Sequence, residues 1–200
     1  MLDYETYKEK MLTIANQYDK RARGGKYIRK WDYHWLEKKF FYDYGDFSNM
    51  KTVIDIGTGV GMLPYLLMSK GHQVEATDIA EDISGPMFTQ CCDLIGLKRH
   101  SLFINDSKPM DFPGKYDMLV ATRTEFDREC LTPGDIFNWK FFLDDAFKYV
   151  KRVYIKTNFA GSGNHFPDYI RPFVSNPGGP GTGLGKPYRA YYIKVDKDQW

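Results

Sequence analysis

The stretch that decides the fold is Thr52–Leu67, TVIDIGTGVGMLPYLL. It opens with an apolar run over 53–56, turns through Gly57, Gly59 and Gly61, and continues as an apolar, helix-like segment. Glycine has no side chain and tolerates positive φ, so a ligand can approach the backbone closely at such a turn. The helix that follows offers unpaired N–H groups and a partial positive charge at its first turn. The stretch therefore predicts a strand, a binding loop and a helix in direct succession.

The spacing of these glycines separates two uses of such a corner. Dinucleotide-binding proteins place a pyrophosphate there, but their glycines follow the pattern G-x-G-x-x-G, and Met62 occupies the third glycine position of that pattern here. The motif Asp55–Gly61, DIGTGVG, instead resembles motif I of the class I S-adenosylmethionine-dependent methyltransferases. The resemblance implies a loop that wraps the zwitterionic amino-acid end of the cofactor. The loop residues expected to contact it are Asp55, Gly57, Thr58, Gly59 and Gly61.

Two further stretches extend the resemblance. The predicted strand Gln73–Thr77 ends in Asp78, followed by Ile79, and a carboxylate at this place can accept two hydrogen bonds from a ribose diol. In the family pattern an acidic residue after the third strand meets the adenine amine. Asp106, with Ser107 beside it, matches that position. The similarity covers roughly residues 50–125, with the motifs in the family's order. Asp55 is expected to hold the cofactor's amino group directly or through water, or only to brace the loop.

Composition limits the class of protein. The 200 residues are enough for one domain with a sizeable core. Their net charge of +2 gives no reason to expect a polyanionic partner. The N-terminal MLDYETYKEK lacks the apolar segment of a secretory signal, and no run approaches the about 20 apolar residues of a membrane span. Cys91, Cys92 and Cys130 are odd in number and lack the spacing of a zinc site. These features favour a cytoplasmic protein without a metal or a membrane partner.

From Thr52 onward, predicted strands and helices alternate, which is typical of right-handed βαβ units and a parallel sheet. The predicted strands are Thr52–Ile56, Gln73–Thr77, Ser101–Ile104, Tyr116–Ala121, Arg152–Thr157 and Tyr188–Val195. The predicted helices are 4–20, Tyr27–Tyr42, a helix reaching Lys70, Pro86–Leu94, Pro133–Val150 and a short one over Pro167–Phe173. We therefore expect an α/β, Rossmann-like, doubly wound and mostly parallel sheet in a single domain. Its expected parts are a helical lid over 1–50, a cofactor-binding core over 51–157, and an atypical C-terminal part over 158–200 with a glycine-rich loop and a final strand.

The N-terminal segment is rich in aromatic residues. In small-molecule methyltransferases such a segment folds over the cofactor and forms part of the acceptor pocket, with a hinge here expected at Gly24-Gly25. The aromatics expected to face the acceptor are Tyr18 and one or more of Tyr27, Trp31 and Trp35. Two alternatives remain: the rings pack the helices on the sheet, or the basic run Lys20–Lys39 with its interleaved aromatics binds nucleic acid. Acidic residues within that run make nucleic acid the less favoured partner.

The region after the fourth strand is expected to line the reaction face. Arg123 is a candidate clamp for a carboxylate or phosphate on the substrate, and Glu125 is a candidate catalytic base. His165, in the glycine-rich loop, is a second candidate base. The alternatives are that Arg123 and Glu125 pair with each other or with solvent and that His165 has no catalytic role. A base is needed only when the acceptor carries a proton that must leave.

The favoured function is S-adenosylmethionine-dependent methyl transfer to a small-molecule acceptor. RNA and protein acceptors stay open, and so does a cofactor-binding protein of the same fold without activity, because the region after the fifth strand is atypical. A nicotinamide-dependent oxidoreductase is disfavoured by Met62. DNA amino-methyltransferases carry an Asn/Asp-Pro-Pro-aromatic tetrapeptide after the fourth strand, whereas this chain has Ala121–Thr124, ATRT. The oligomeric state cannot be predicted from the sequence.

Overall fold

A computed structural model gives the architecture of the chain. It describes residues 1–18, 25–79, 86–102, 104, 107–122, 124, 137–157, 166–177 and 191–200, without the side chains of Lys26 and Tyr27. The helices are α1 (Tyr4–Asn16), α2 (Gly25–Arg29), α3 (Trp31–Gly45), α4 (Met62–Ser69), α5 (Met87–Leu94) and α6 (Trp139–Ala146). The strands are β1 (Thr52–Ile56), β2 (Gln73–Asp78), β3 (Lys98–Ser101), β4 (Tyr116–Thr122), β5 (Val150–Lys156), β6 (Val174–Ser175) and β7 (Tyr192–Asp196). Short 3₁₀ turns cover Arg171–Phe173 and Lys197–Gln199.

The seven strands form one sheet in the order β3-β2-β1-β4-β5-β7-β6. The first five in this order run parallel, and β7 pairs antiparallel with both β5 and β6. Strands β1 and β4 are buried along nearly their whole length because helices cover both faces of the sheet. The predicted Rossmann-like α/β fold is therefore confirmed. The chain order reverses between β1 and β4, and open α/β sheets bind ligands at such a switch point.

The register of the parallel strands decides which residues meet at the carboxyl edge of the sheet. Ile56 lies opposite Thr77 on one side and Ala121 on the other, and Ala121 lies opposite Ile155. The next residue of each strand therefore reaches the same edge. These residues are Gly57, Asp78, Thr122 and Lys156.

The N-terminal helices pack on this sheet. Asp3 caps α1 by accepting a 3.0 Å hydrogen bond from the N–H of Thr6. The buried ring of Tyr7 in α1 stacks on Tyr65 of α4 with centroids 3.6 Å apart. Because α1 packs against α4 and α5, and α3 packs against α4, these N-terminal helices and the core share apolar layers.

The predicted boundary between α1 and α2 is wrong. Helix α1 ends at Asn16 rather than residue 20, and the predicted continuous helix over 27–42 is two helices that meet at Lys30. The Arg29 guanidinium donates to the carbonyls of Ala15 and Tyr18 at 2.9 and 3.1 Å, so the end of α1 is satisfied by a side chain from α2. Gly25, half of the predicted hinge, is the first residue of α2, and Gly24 lies outside the described residues.

The third strand covers Lys98–Ser101 instead of the predicted Ser101–Ile104. It is an edge strand whose only described neighbour is β2, and it carries polar rather than apolar side chains. Lys98 and His100 contact the two carboxylate oxygens of Glu75 at 2.8 and 2.7 Å. Cross-strand polar pairs thus stabilise a strand that apolar patterning does not detect.

The C-terminal boundaries also differ from prediction. Helix α6 begins after Asn138, whose side chain accepts a 3.1 Å hydrogen bond from the N–H of Phe141. Within the described residues, the helix predicted over 133–150 is therefore limited to Trp139–Ala146. Strand β5 begins at Val150 instead of Arg152, and β7 covers Tyr192–Asp196, with 188–190 outside the described residues. Strand β6 was not predicted, and only the last three residues of the helix predicted over 167–173 form a 3₁₀ turn.

Two features are absent from the described residues, a membrane-spanning helix and a cluster of metal-binding side chains. No helix among them has both the length and the apolar composition that crossing a membrane requires. Their His, Cys, Asp and Glu side chains form no group of three or more that could hold a metal ion.

Candidate functional site

The glycine loop between β1 and α4 has the backbone that its sequence predicts. Gly57, Gly59 and Gly61 have φ values of 67°, 55° and 75°, a region that side chains with a Cβ rarely adopt. A Cβ on Gly57 would lie 2.6 Å from the Thr124 hydroxyl oxygen. That hydroxyl donates to the Ile56 carbonyl at 2.8 Å, which fixes it in place. The loop therefore needs glycine at its first position for both backbone angle and space.

Asp78 ties the end of β2 to this loop. Its Oδ2 accepts a hydrogen bond from the N–H of Gly59 at 2.5 Å, and its Oδ1 accepts one from the N–H of Ile79 at 2.8 Å. Burial raises the pKa of Asp78, while these two N–H groups act in the opposite direction. Each carboxylate oxygen can accept a further bond. The predicted ribose contact of Asp78 and Ile79 is thus compatible with this geometry and stays a prediction.

Asp55 is a buried carboxyl of the site with an unsatisfied oxygen. Its side chain is 2% exposed, and within the described residues its Oδ1 has no hydrogen-bond partner. Burial raises the pKa of Asp55 to about 7, with the Thr58 hydroxyl and the Lys38 ammonium lowering it and the charge of Asp78 raising it further. The buried Thr58 hydroxyl is near enough to the Asp55 carboxyl to lower its pKa, but it does not reach hydrogen-bonding geometry with any described residue. A buried, unpartnered carboxylate oxygen costs free energy that a cationic ligand would recover.

The other predicted cofactor and substrate residues differ in burial, and several lie outside the described part of the chain. Ser107 is exposed in the turn that precedes β4. Tyr18 is half-buried after the end of α1. Trp31 is buried, and its Nε1 donates to the Tyr4 hydroxyl at 3.0 Å, while its ring packs against Tyr7 and Trp35, with centroids 5.2 and 6.3 Å away. The contacts of Trp31 are those of a packing residue. The substrate roles of Tyr18 and Trp31 remain predictions. The predicted residues outside the described part are Asp106, Arg123, Glu125 and His165, and the side chain of Tyr27 is not described.

A buried polar cluster, which the sequence analysis missed, lies at the same edge of the sheet. Helix α3 supplies His34, Glu37 and Lys38, and β4 and β5 supply Thr122 and Lys156. We call these five residues the α3 cluster. The Lys38 ammonium donates to the Thr122 hydroxyl, and the Lys156 ammonium pairs with Oε1 of Glu37.

One sequence signal could have revealed the α3 cluster. Positions 34, 37, 38 and 41 share one helix face, and that face also carries the buried Phe41. Phe41 directs this face into the core. Charged residues on a core-facing helix face are unusual, because buried charges need partners. In the sequence these residues fall within the basic run Lys20–Lys39.

Comparisons with known proteins agree with this architecture. No protein-family model matches the chain, and no curated protein sequence matches it. TrmN from Thermus thermophilus matches in structure with a TM-score of 0.54 at 16% identity, over 80% of this chain and 48% of that one. A putative RNA methyltransferase from Pyrococcus horikoshii matches with a TM-score of 0.50 at 15% identity, over 96% and 98%. The structure of PigF with SAH matches with a TM-score of 0.52 at 15% identity, over 79% and 53%.

The chain has the Rossmann-like fold of methyltransferases. Identities of 15 to 16% make this a likeness of fold, and the activity has to be argued from the site. In this methyltransferase fold, Asp55, the glycine loop and Asp78 occupy the switch-point edge, and the α3 cluster lies beside them.

Proposed function

We propose that this protein is an S-adenosylmethionine-dependent methyltransferase that acts on a small-molecule acceptor. The observation that carries the proposal is the buried Asp55 carboxylate, whose Oδ1 lacks a described partner at the start of a glycine loop. An α-ammonium group is a suitable partner for such an oxygen, because it supplies both a charge and hydrogen-bond donors. A loop in which Gly57 cannot carry a Cβ leaves backbone accessible to the rest of the ligand.

A carboxyl and an ammonium group near the start of the loop fit a zwitterion. The Lys38 ammonium lies close enough to Asp55 to lower the pKa of its carboxyl, and it is anchored on Thr122 at the end of β4. We assign Asp55 to the α-ammonium of the cofactor and Lys38 to its α-carboxylate. Asp78 and Ile79 would then hold the ribose, and Asp106 with Ser107 would hold the adenine.

The bound cofactor would supply a methyl group already activated on a sulfonium. The protein's task is then to align an acceptor with that methyl group, which can contribute about 7–11 kcal/mol to lowering the barrier. Helix α3 serves this task because it covers the ends of β4 and β5 and keeps the α3 cluster away from water. Weakly hydrated charges at this edge interact more strongly with a substrate than charges in water would.

The small-molecule acceptor is favoured over RNA by the surroundings of the site. Among the described residues at this edge, Lys156 is buried and paired with Glu37, and the buried Lys38 ammonium donates to the Thr122 hydroxyl, so neither ammonium belongs to an open basic surface. In the described part of the basic run, Asp32 is exposed and forms a 2.9 Å ion pair with Lys8. An extended polyanion would meet mixed charge on this side of the molecule.

Titration calorimetry with S-adenosylhomocysteine and with NAD tests the cofactor assignment. We expect the first ligand to bind and the second not to bind, and Asp55→Ala should abolish most of the binding. Exposed Asp144, paired with Lys140 on α6, provides the control variant Asp144→Ala, which should bind like the wild type. Binding of NAD alone would overturn the proposal.

A second experiment tests the reaction. The protein and S-adenosylmethionine are incubated with a metabolite mixture, with total RNA or with protein extract, and products are read by mass spectrometry for a gain of about one methylene mass. A gain confined to metabolites supports the proposal. A gain confined to RNA or protein would replace the acceptor class. Tight cofactor binding without any methylated product would indicate a binding protein of the same fold.

A further inference from the structure

Helix α6 carries two adjacent acidic residues with different surroundings. Asp144 is exposed and pairs with Lys140, an arrangement that is common on helix surfaces. Asp145 is 2% exposed and lies on the same helix face as the buried Phe142. A carboxylate is costly to bury unless hydrogen-bond donors satisfy it. The donors that reach Asp145 therefore indicate what this residue holds in place.

Two donors reach the carboxylate of Asp145 from different parts of the chain. Its Oδ1 accepts a hydrogen bond from the exposed Lys148 ammonium at 2.9 Å, and the two side chains form an ion pair. Its Oδ2 accepts a 2.6 Å hydrogen bond from the backbone N–H of Met110, 35 positions earlier in the chain. Met110 belongs to neither a helix nor a strand, so a side chain has to provide the partner of its buried N–H. A short bond to a charged acceptor is a strong one.

The chain around Met110 is held in one conformation. We call residues 107–115 the approach segment, because they lead into β4 at Tyr116 without regular secondary structure. Met110 and Phe112 are buried, whereas Asp111 between them is exposed and has a φ of 42°, a value that residues other than glycine rarely adopt. Such a backbone persists only where its surroundings determine it.

The surroundings that determine it are the end of α6 and the turn into β5. The ring of Phe112 makes a T-shaped contact with Tyr149, with centroids 5.4 Å apart, and the Lys115 ammonium lies 4.8 Å from the centroid of the same tyrosine ring. The N–H of Tyr116 donates to the Tyr149 carbonyl at 2.9 Å. These contacts and the carboxylate bond attach the second half of the approach segment to residues 145–149.

The first half of the approach segment leads back to the proposed cofactor site. Directly after β3, the N–H of Leu102 donates to the Asp78 carbonyl at 2.9 Å, which places the chain beside the proposed ribose position. The chain is attached again at Met110. Ser107, which we assign to the adenine, lies between these two attachments and three residues from Met110, a reach of at most about 10 Å. The bond between Asp145 and Met110 therefore limits where Ser107 can lie relative to the base.

We propose that Asp145 is a positioning residue for the adenine end of the cofactor pocket. The inference rests on the proposed function. Through the N–H of Met110, Asp145 holds the approach segment so that the polar groups at its start face the exocyclic amine of the base. Asp145 acts only through this segment, and the glycine loop and Asp78 do not depend on it. Its loss should weaken recognition of the amine and leave the rest of the cofactor site intact.

Titration calorimetry with two ligands tests this role. One ligand is S-adenosylhomocysteine, and the other is the analogue that carries hydrogen in place of the adenine amine. We expect the wild type to prefer S-adenosylhomocysteine by about tenfold, because the analogue lacks one hydrogen bond to the protein. Asp145→Ala should weaken binding of S-adenosylhomocysteine about tenfold and binding of the analogue less than about twofold, so that the preference disappears.

Three further variants serve as controls. Asp144→Ala removes the adjacent exposed acid, and Lys148→Met removes the ion pair but keeps the bond to Met110, so both should keep the wild-type preference. Asp145→Asn retains an acceptor oxygen and should recover most of the preference. Equal losses for both ligands in Asp145→Ala, an unchanged affinity for S-adenosylhomocysteine in that variant, or a wild type without preference would each overturn the inference. A wild type that binds neither ligand would instead overturn the proposed function.

Amide hydrogen exchange of the wild type gives a readout that needs no variant. The Met110 amide should exchange slowly without ligand, although it lies outside helices and strands. S-adenosylhomocysteine should slow exchange further across residues 107–112, and the analogue without the amine should do so much less. Rapid exchange of the Met110 amide, or slowing by S-adenosylhomocysteine that is confined to the glycine loop and Asp78, would contradict the proposed role of Asp145.

Discussion

The carboxylate of Asp78 accepts a 2.5 Å hydrogen bond from the backbone N–H of Gly59, a residue 19 positions earlier in the chain. The bond joins the end of β2 to the loop that follows β1, and it lies at the switch point of the sheet. One side chain thus holds the loop in place and presents its remaining lone pairs at the proposed ribose position.

Replacing Asp78 tests whether it contacts the cofactor. Hydrogen bonds to a charged group contribute about 1.5–3 kcal/mol each, so we expect Asp78→Ala to weaken S-adenosylhomocysteine binding at least about tenfold. Comparison with the 2′-deoxy analogue in calorimetry separates contact from bracing. If Asp78 binds the ribose, the analogue should lose much less affinity than the parent ligand in the variant. Equal losses would show that Asp78 only braces the loop.

Gly57→Ala tests the space in the loop, with Gly71→Ala as its matched control. Both glycines have positive φ, 67° and 93°, so both variants carry backbone strain of about 1–2 kcal/mol in unfolding free energy. Only Gly57 is crowded, because a Cβ at Gly71 meets no described atom within 4 Å. We expect both variants to be destabilised in urea titrations and only Gly57→Ala to lose cofactor affinity. Equal affinities would mean that the ligand does not approach this turn.

Stability should depend on pH through Asp55. The pKa of this carboxyl is raised by burial from 3.8 to about 7 in the folded protein, so folding favours the protonated form. The resulting stabilisation is fully present below about pH 4 and is lost as the pH rises through about 7. A difference of about three units corresponds to about 4 kcal/mol. We expect Asp55→Asn to be more stable than the wild type at about pH 8, and urea titrations at about pH 5 and pH 8 check this. A variant less stable at both values would contradict the assignment.

Cofactor binding should release a proton at Asp55. The α-ammonium of the ligand favours the ionised carboxylate, so binding lowers the pKa of Asp55 from its value of about 7. Affinity for S-adenosylhomocysteine should therefore rise between about pH 6 and pH 8. Calorimetry in buffers with different ionisation enthalpies measures the released protons, and Asp55→Asn should show fewer. Proton uptake at about pH 6 would be evidence against an ionised Asp55 in the complex.

The buried pair of Lys156 and Glu37 should show a strong non-additive effect on stability. Lys156→Met leaves a buried carboxylate without its ammonium partner, and breaking such pairs costs about 3–5 kcal/mol in unfolding free energy. The double variant Lys156→Met, Glu37→Met should recover much of that loss because neither charge of the pair remains. Lys194→Met, on the neighbouring strand and partly exposed, should change stability little. Additive losses in the double variant would show that the pair is not coupled.

The sequence alone determined the local parts of this protein. The run from Thr52 to Leu67 specifies β1, the loop and α4, because an apolar strand, three glycines and an apolar helix are local patterns. The same kind of pattern placed Asp78 at the end of β2. Alternation of such units then indicates a parallel sheet, since each crossover is right-handed. His34, Glu37 and Lys38 share a helix face with Phe41, which was a signal for their burial, but the sequence did not indicate their partners.

Only the tertiary structure decided which polar groups meet. Glu37 and Lys156 are 119 positions apart, and Lys38 and Thr122 are 84 apart, so no spacing rule connects them. Their contacts follow from the strand order and from the path of α3 across the sheet, both of which come from packing the whole chain. The polar strand β3 also depends on the tertiary structure, because its residues Lys98 and His100 pair with Glu75 on β2. A buried charge is stable only beside its partner, and that partner is found by the fold rather than by neighbouring residues.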